Sequence, residues 1–422
     1  MKLLLINTSD IGGAGKACVR LHQGLLSMNV DAKLLLAKKT ANHENSFLLK
    51  PKEDHSLKNK IKKKSIKILR ELKLLKTPKK TKEQLFVENR ALGLELYSFP
   101  NSNYDITESP LYKQADIINL HWVSGFIDYE SFFKKNTKPV VWTLHDMNPF
   151  TGGEHYKETF LGIDENGFPK KRVLTNEEIL QFKKILNLKK EALSQVKNLH
   201  FVTLSDWMTY ELQQSDFFGK FPVHKIPNGI SSKVFKPRDK RYSRELLNIP
   251  LDKKVILFVA DLIHANRKGF KFLVEAINKL EQENVQLFVI GNKNESLYNF
   301  KNIIQYGVVK DDRLLSSIYS AADVFVIPSL MDNLPNTVLE SLLCGTPVIG
   351  YPIGGIPDMV SHGENGLISE SVSVDALANS INQFLSNGVL FSTEEIRKQA
   401  VIKYDDKVQA KNYMRLFKSL VN

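Results

Sequence analysis

The sequence has few cysteines and lacks an apolar run long enough to cross a membrane. Its 422 residues include two cysteines, Cys18 and Cys344, far apart and in apolar or small-residue surroundings. This spacing fits neither a disulfide framework nor a metal site, so we expect buried free thiols in a reducing compartment. The apolar run at the N-terminus turns polar at Asn7, which is typical of a first β-strand and too short for a secretory signal. The sequence therefore predicts a cytoplasmic protein.

Acidic residues are scarce in one segment, which holds most of the net charge of +13. Residues 52–82 contain thirteen lysines and arginines against three acids. Apolar residues recur at helical spacing over 57–76, so the pattern predicts a basic amphipathic helix. Two interpretations stay open: an ordinary surface helix, or a helix that adsorbs to anionic lipid headgroups. Because the charge is concentrated in this segment, a nucleic-acid-binding core is not expected.

Short β-type runs alternate with longer helical patterns along the chain, as in parallel sheets wrapped by helices. The predicted strands of the two halves are 2–7, 32–37, 117–121, 139–143, 199–204 and 224–227, then 254–260, 286–291, 302–307, 323–328, 346–351 and 366–368. We therefore predict two Rossmann-like doubly wound domains, comprising residues 1–229 with 404–422, and residues 230–403. The apolar pattern over 406–420 predicts a terminal helix that crosses back to the first domain.

The block 328–349 carries the strongest functional pattern. A predicted strand ends at Pro328, a polar turn with Asp332 follows, and a helix begins near Pro335 and ends before Gly345. The free N–H groups of this helix would lie at the carboxyl end of a parallel strand, where open α/β sheets bind ligands and where phosphate is favoured. Glu340, inside that helix, suits a pair of ribose hydroxyls.

This block resembles the Glu-x7-Glu donor motif of family 4 (group 1) glycosyltransferases, which have the GT-B fold with two domains facing across a cleft. The resemblance implies that Glu340 binds the ribose and that backbone amides near Asn336 and Thr337 hold the donor diphosphate. Asp332 stands where the family usually has its first Glu, with a side chain one methylene shorter. Val308, which follows a predicted strand, would flank the base.

Three further segments match the same family. Lys268 matches the family lysine that pairs with the diphosphate; many members also carry an Arg where this chain has Asp261, and Arg267 is a candidate replacement. The turn with Gly12 and Gly13 lets backbone approach a ligand closely, and the resemblance places it against the acceptor or the diphosphate. A nicotinamide fingerprint is incomplete there, because no acid ends the second strand.

His145 matches the family histidine that projects from a strand end against the transferred sugar. His121, Trp122 and the loop 150–156 are candidate acceptor contacts or core residues, a choice that the sequence leaves open. Residues 152–156 of this loop resemble a surface-polysaccharide branch of the family in which a cysteine is common; this chain lacks that cysteine.

The resemblance implies a retaining, metal-independent glycosyltransferase that needs no cofactor. Its donor is a nucleotide-sugar, UDP-sugar being favoured over GDP-sugar. Its acceptor is a saccharide or lipid-linked saccharide in bacterial surface polysaccharide synthesis. A peripheral position on the inner face of the plasma membrane would follow if 52–82 binds lipid. Two alternatives stay open: a GT-B protein without catalysis that serves as a binding or scaffold subunit, and an unrelated Rossmann-like epimerase or dehydrogenase.

Overall fold

A computed structural model describes residues 1–52, 80–280, 284–293, 302–386 and 391–421. The described chain forms two separate parallel β-sheets, each flanked by helices, and one small antiparallel hairpin. The basic helix predicted over 57–76 lies outside the described residues. None of the helices within the described ranges is both long and apolar enough to cross a bilayer.

The first sheet has seven parallel strands in the order β3-β2-β1-β4-β5-β8-β9. Its strands are β1 (Lys2–Ser9), β2 (Asp31–Lys38), β3 (Ser46–Leu48), β4 (Ile117–Leu120), β5 (Val140–Leu144), β8 (Leu199–Thr203) and β9 (Val223–Lys225). The order reverses between β1 and β4, which opens a crevice at their carboxyl ends. The hairpin of β6 (Phe160–Ile163) and β7 (Pro169–Lys171) lies outside this sheet.

The second sheet has six parallel strands in the order β12-β11-β10-β13-β14-β15. Its strands are β10 (Lys254–Val259), β11 (Val285–Ile290), β12 (Ile303–Gly307), β13 (Val324–Ile327), β14 (Val348–Gly350) and β15 (Gly366–Ile368). The reversal here falls between β10 and β13. Both sheets therefore have the doubly wound arrangement, with a ligand crevice at the reversal point.

Helices cover both faces of each sheet. In the first half they are α1 (Gly12–Leu26), α2 (Lys82–Glu88), α3 (Pro110–Gln114), α4 (Tyr129–Lys135), α5 (Asn176–Leu193) and α6 (Asp206–Gln213). In the second half they are α7 (Lys240–Leu246), α8 (Phe270–Asn278), α9 (Asp312–Ala321), α10 (Asn336–Leu343), α11 (Ile356–Met359), α12 (Val374–Ser386), α13 (Thr393–Tyr404) and α14 (Asp406–Val421).

The last helix, α14, packs against the first sheet and not against the second. Tyr413 and Phe417 are buried in one apolar cluster with Leu3 and Leu5 of β1. The hydroxyl of Tyr413 lies 2.8 Å from the hydroxyl of Thr143 on β5. The crossing of the terminal helix to the first half is confirmed. The domain limits at 229/230 and 403/404 stay a prediction.

All twelve predicted strands are present, with ends shifted by at most two residues. The prediction missed β3 and the β6–β7 hairpin. Strands β3, β6 and β7 are only three or four residues long, so their period is too short to be recognised. Helix α10 begins after Pro335 as predicted, and Gly345, with φ of 71°, follows its end in the left-handed region that glycine favours.

Candidate active site

A cleft of about 540 Å³ lies where the carboxyl ends of the two sheets face each other. Ten residues that the sequence predicted for the donor and sugar site line this cleft, whereas the candidate acceptor contact His121 does not. From the first half these are Gly12, Gly13 and His145, and from the second half Arg267, Lys268, Val308, Asp332, Asn336, Thr337 and Glu340. The structure thus brings together residues separated by more than 300 positions; their individual roles stay predictions.

Two helices begin at this cleft. Helix α1 starts at Gly12 and helix α10 at Asn336, and neither has a side chain capping its first N–H groups. The Asn336 side chain donates a hydrogen bond to the Gly13 carbonyl at 3.0 Å, which joins the two helix starts. Uncapped N–H groups and two positive helix-dipole ends at one place favour a multiply charged anion such as a diphosphate.

Glu340 is buried, and each of its carboxylate oxygens is already hydrogen-bonded. Arg20 of α1 donates to Oε1 at 2.9 Å, and the Tyr319 hydroxyl donates to Oε2 at 3.0 Å. Burial raises the pKa of Glu340, and the charges of Arg20 and Lys16 oppose that shift. A carboxylate has about four lone-pair positions. Glu340 can therefore still accept hydrogen bonds from a ligand that carries two neighbouring hydroxyls.

Asp332 and Lys268 form an ion pair on the other side of the cleft. The Lys268 ammonium lies 2.7 Å from Asp332 Oδ2, and the Arg267 guanidinium lies 3.1 Å from the same oxygen. Burial opposes ionisation of Asp332, but the two cations outweigh it and lower its pKa. Lys268 remains partly exposed. Its charge is thus positioned at the cleft by Asp332 and is available to an anionic ligand.

Arg267 is held by side chains of the first half. Its guanidinium lies 2.7 Å from Glu95 and stacks over the Tyr156 ring at 4.9 Å. It also donates to the Met331 carbonyl at 2.6 Å. The sequence proposed Arg267 as a second diphosphate contact in place of the family arginine. In the structure the guanidinium is shared between Glu95 and Asp332, so a phosphate would have to compete with these carboxylates.

His145 is joined to a chain of buried polar groups. Its Nε2 lies 2.9 Å from Nδ1 of His121, and Nε2 of His121 lies 3.0 Å from the side-chain oxygen of Asn119. Burial lowers the pKa of His145 to about 4, with Asp146 opposing the shift, and burial also lowers the pKa of His121. Both rings are therefore neutral near pH 7. His145 suits hydrogen bonding to a substrate better than proton uptake.

The aromatic loop after β5 is fixed by ion pairs and hydrogen bonds. Asp146 accepts hydrogen bonds from the Trp122 indole at 2.9 Å and from His155 at 2.6 Å. Glu154 is paired with Arg90 at 2.7 Å and Arg172 at 2.9 Å. Glu154 lies in the loop where the resembled branch commonly has a cysteine. Its two arginines hold the loop against α2 and the hairpin.

Asn333 connects the donor-side loop to the strand ends of the first sheet. Its side-chain amide donates to the carbonyls of Leu144 at 2.9 Å and His145 at 3.2 Å. Its oxygen accepts from the Ser205 hydroxyl at 2.7 Å. The backbone that carries His145 is thereby tied to the loop that carries Asp332.

Sequence reasoning missed Arg20, Tyr319, Glu95 and Asn333. Arg20 had a visible signal, since it is a lone charge among Ala17, Cys18, Val19 and Leu21 on the buried face of α1. The other three sit at positions with no local pattern, and only the fold brings them to the cleft. Among the residues that the structure describes, no group of three or more His, Cys, Asp or Glu side chains is arranged to hold a metal ion.

Residues 253–387 match the family model described as glycosyl transferases group 1. An uncharacterized glycosyltransferase of Methanocaldococcus jannaschii is 29% identical over 211 residues, which are 47% of this chain and 53% of that protein. The D-inositol 3-phosphate glycosyltransferase of Acidothermus cellulolyticus is 28% identical over 297 residues, 65% of this chain and 60% of that protein. The chain thus spans between about half and three fifths of the length of these curated relatives.

Two solved structures superpose on the whole chain. Sucrose-phosphate synthase of Thermosynechococcus elongatus has a TM-score of 0.69 at 19% identity and covers 100% of this chain and 99% of its own. Anabaena Alr3699/HepE, solved with UDP and glucose, has a TM-score of 0.67 at 15% identity with 100% of both chains covered. These similarities establish the fold. Residues 253–387 therefore match a group 1 glycosyltransferase domain, and the chain as a whole has the GT-B fold.

Proposed function

We propose that this protein is a retaining, metal-independent glycosyltransferase that uses a nucleotide-sugar, with UDP-sugar favoured over GDP-sugar. One observation carries the proposal: a single cleft gathers two uncapped helix starts, the Lys268 ammonium, the Glu340 carboxylate and His145. The helix starts and Lys268 match the diphosphate of such a donor, Glu340 matches its ribose, and His145 matches its sugar. The Anabaena protein of the same fold was solved with UDP and glucose, which supports the donor class.

The chemical work in this site is stabilisation of the leaving diphosphate. As the bond between the anomeric carbon and the phosphate oxygen breaks, negative charge develops on the diphosphate. Lys268 and the N–H groups of Asn336 and Thr337 are placed to bind that charge. No bound cofactor is required for this reaction, and the proposal includes none.

His145 would orient the transferred sugar instead of removing a proton. Burial lowers its pKa to about 4, so the ring is a weak base near pH 7, and its Nε2 is occupied by His121. In a retaining transfer on the same face of the sugar, a phosphate oxygen of the donor takes the acceptor proton. The arrangement of one neutral histidine in the same cleft as Lys268 and two helix starts is consistent with that division of roles.

Three aliphatic side chains in the cleft lining are largely exposed. Ile11, Leu96 and Leu262 line the cleft, yet 60%, 55% and 63% of their surfaces are exposed. Exposed aliphatic side chains in a cleft lining fit an acceptor with an apolar part. We therefore favour a lipid-linked saccharide over a free saccharide, in a bacterial surface polysaccharide pathway. A cytoplasmic location with peripheral attachment through 52–82 belongs to the same proposal.

A panel of ligands tests the proposed function. UDP-sugars, GDP-sugars and NAD are each titrated into the protein by calorimetry, and release of free nucleotide from the donors is followed over hours. We expect micromolar binding of one nucleotide-sugar class, slow donor hydrolysis and no binding of NAD. Binding without any hydrolysis or transfer would favour the non-catalytic scaffold. Binding of NAD alone would favour the dehydrogenase or epimerase and reject the proposal.

A further inference from the structure

Arg20 belongs to the first half of the chain, but its side chain is inserted into the second. It sits on α1 and is 9% exposed. Its Nη2 lies 2.9 Å from Glu340 and 3.2 Å from Asp312, and its guanidinium packs over the Phe235 ring at 5.4 Å. Its Nη1 is buried without a hydrogen-bond partner among the described residues. Burying the Arg20 cation costs desolvation free energy, and this cost can exceed what its ion pairs contribute to stability. Its presence therefore suggests a role beyond stability.

The charged and titratable groups around Glu340 come from α1, α9 and the end of α10. Arg20 and Lys16 approach from α1, Asp312 and Tyr319 from α9, and Cys344 follows α10 itself. Burial and Asp312 favour the protonated form of Glu340, and the positive charges of Arg20 and Lys16 favour the carboxylate. Arg20 is the group that makes a direct charged hydrogen bond to it. Removing Arg20 would leave a buried carboxyl with one neutral donor.

We propose that Arg20 is a positioning residue that keeps the Glu340 carboxylate ionised and oriented for the two ribose hydroxyls of the donor. This inference rests on the proposed function, because it takes Glu340 as the ribose-binding residue. Arg20 on Oε1 and Tyr319 on Oε2 leave about two lone-pair positions, the number that a vicinal diol needs. The ribose site is thus completed only when α1 of the first half lies against α10 of the second.

The contact between Arg20 and Glu340 joins nucleotide binding to contact between the two halves of the chain. A nucleotide that contacts mainly the second half still requires Arg20 of the first half for full affinity. Nucleotide binding and docking of the two halves are therefore coupled, and each favours the other by the same factor.

The test measures UDP-glucose affinity by calorimetry between pH 6 and 9, where the diphosphate of this ligand does not titrate. We expect the Kd of the unaltered protein to change by less than about threefold over this range. Arg20→Gln should bind far more weakly at pH 6 and recover toward pH 9, by about tenfold per pH unit while Glu340 titrates. Arg20→Lys, which keeps the charge, should stay within about tenfold of the unaltered protein at every pH.

Arg244→Gln is the matched control. Arg244 is also buried and is paired with an acid, Asp323 at 2.7 Å, but it does not line the cleft. We expect Arg244→Gln to have a lower melting temperature than the unaltered protein, but the same dependence of the UDP-glucose Kd on pH. Should Arg20→Gln not fold, Arg20→Lys decides: loss of binding at every pH in that folded variant would overturn a charge-based role.

The outcomes separate the two proposals. A protein that does not bind UDP-glucose or any other nucleotide-sugar fails the proposed function, and the inference fails with it. Binding that depends on Glu340, together with an Arg20→Gln profile that matches the unaltered protein, rejects the role of Arg20 alone.

Discussion

The Nε2 atom of His145 lies 2.9 Å from the Nδ1 atom of His121. The other nitrogen of His121 faces the side-chain oxygen of Asn119, whose amide nitrogen donates to the Val141 carbonyl. Asn119 therefore accepts from Nε2–H of His121, so Nδ1 of His121 accepts from Nε2–H of His145. His145 is left with an unprotonated Nδ1, which can accept a hydrogen bond from a sugar hydroxyl.

This chain of hydrogen bonds predicts separate effects on turnover and on nucleotide binding. His145→Ala should lower the rate of donor hydrolysis or transfer by roughly 10²-fold, because the sugar loses an oriented contact. UDP, which lacks the sugar, should bind within about twofold of the unaltered protein. His121→Phe should also lower this rate, by a smaller factor, and should also leave UDP affinity nearly unchanged. A large loss of UDP affinity in His145→Ala would remove His145 from the sugar side of the site.

Lys268 is predicted to bind the diphosphate and not the nucleoside. Lys268→Met should weaken UDP by roughly 10²-fold and reduce the salt dependence of binding, because one direct charge is lost. Uridine, which has no phosphate, should bind equally to both proteins. Lys271→Met, a change at an exposed lysine of α8, is the control and should leave both affinities unchanged. An equal loss for uridine and UDP would contradict the assignment.

Gly269 is predicted to be required for folding of the segment that carries Lys268. Its φ is 65°, and an added Cβ would lie 1.7 Å from the Pro328 carbonyl oxygen. Gly269→Ala should therefore destabilise the protein by at least about 2 kcal/mol, seen as a lower melting temperature. At Gly13 an added Cβ meets nothing within 4 Å, so Gly13→Ala should melt normally. Similar melting of both variants would argue against a close approach of Gly269 to the Pro328 carbonyl.

The buried Lys189 should make the stability of the protein depend on pH. This lysine of α5 is fully buried and donates to the carbonyls of Asn148 and Thr151. Burial lowers its pKa to about 7, from an ordinary value of 10.5, with Asp146 opposing the shift. Between these values the unfolded chain binds more protons than the folded protein, so stability should rise with pH.

The free energy of unfolding should therefore gain about 1.4 kcal/mol per pH unit near pH 8 from Lys189. Urea melts at pH 7, 8 and 9 measure this gain. Lys189→Met removes the titrating group and should show a shallower rise. Parallel curves for the two proteins would mean that Lys189 does not titrate in this window.

Local patterns in the sequence predicted the strands and the start and end of α10, because each strand has its own apolar run and Pro335 and Gly345 mark the limits of the helix. The sequence also predicted residues that line the cleft. Gly12, Lys268 and Glu340 each lie in a segment that follows a strand, and strand ends converge at the reversal points of both sheets. Such residues can be predicted because the chemistry and the position lie in the same short segment.

The partners of these residues could not be predicted in the same way. Arg20 meets Glu340 only because α1 and α10 begin at the same cleft, and Glu95 reaches Arg267 from a segment with no regular pattern. Glu340 was expected to keep its carboxylate for a ligand, whereas the structure gives it two protein donors. Contacts across the cleft depend on how the two halves of the chain face each other. The spacing of residues within one segment carries no information about that arrangement.

The most direct measurement is the preference of the protein for UDP over 2′-deoxy-UDP, with and without the Glu340 carboxylate. A carboxylate that accepts from both ribose hydroxyls predicts at least about tenfold tighter binding of UDP. Glu340→Gln should lose most of that preference and keep its fold, while Glu245→Gln, at an exposed acid of α7, should retain it. An unchanged preference in Glu340→Gln would contradict the assignment of this cleft as a nucleotide-sugar site built around Glu340.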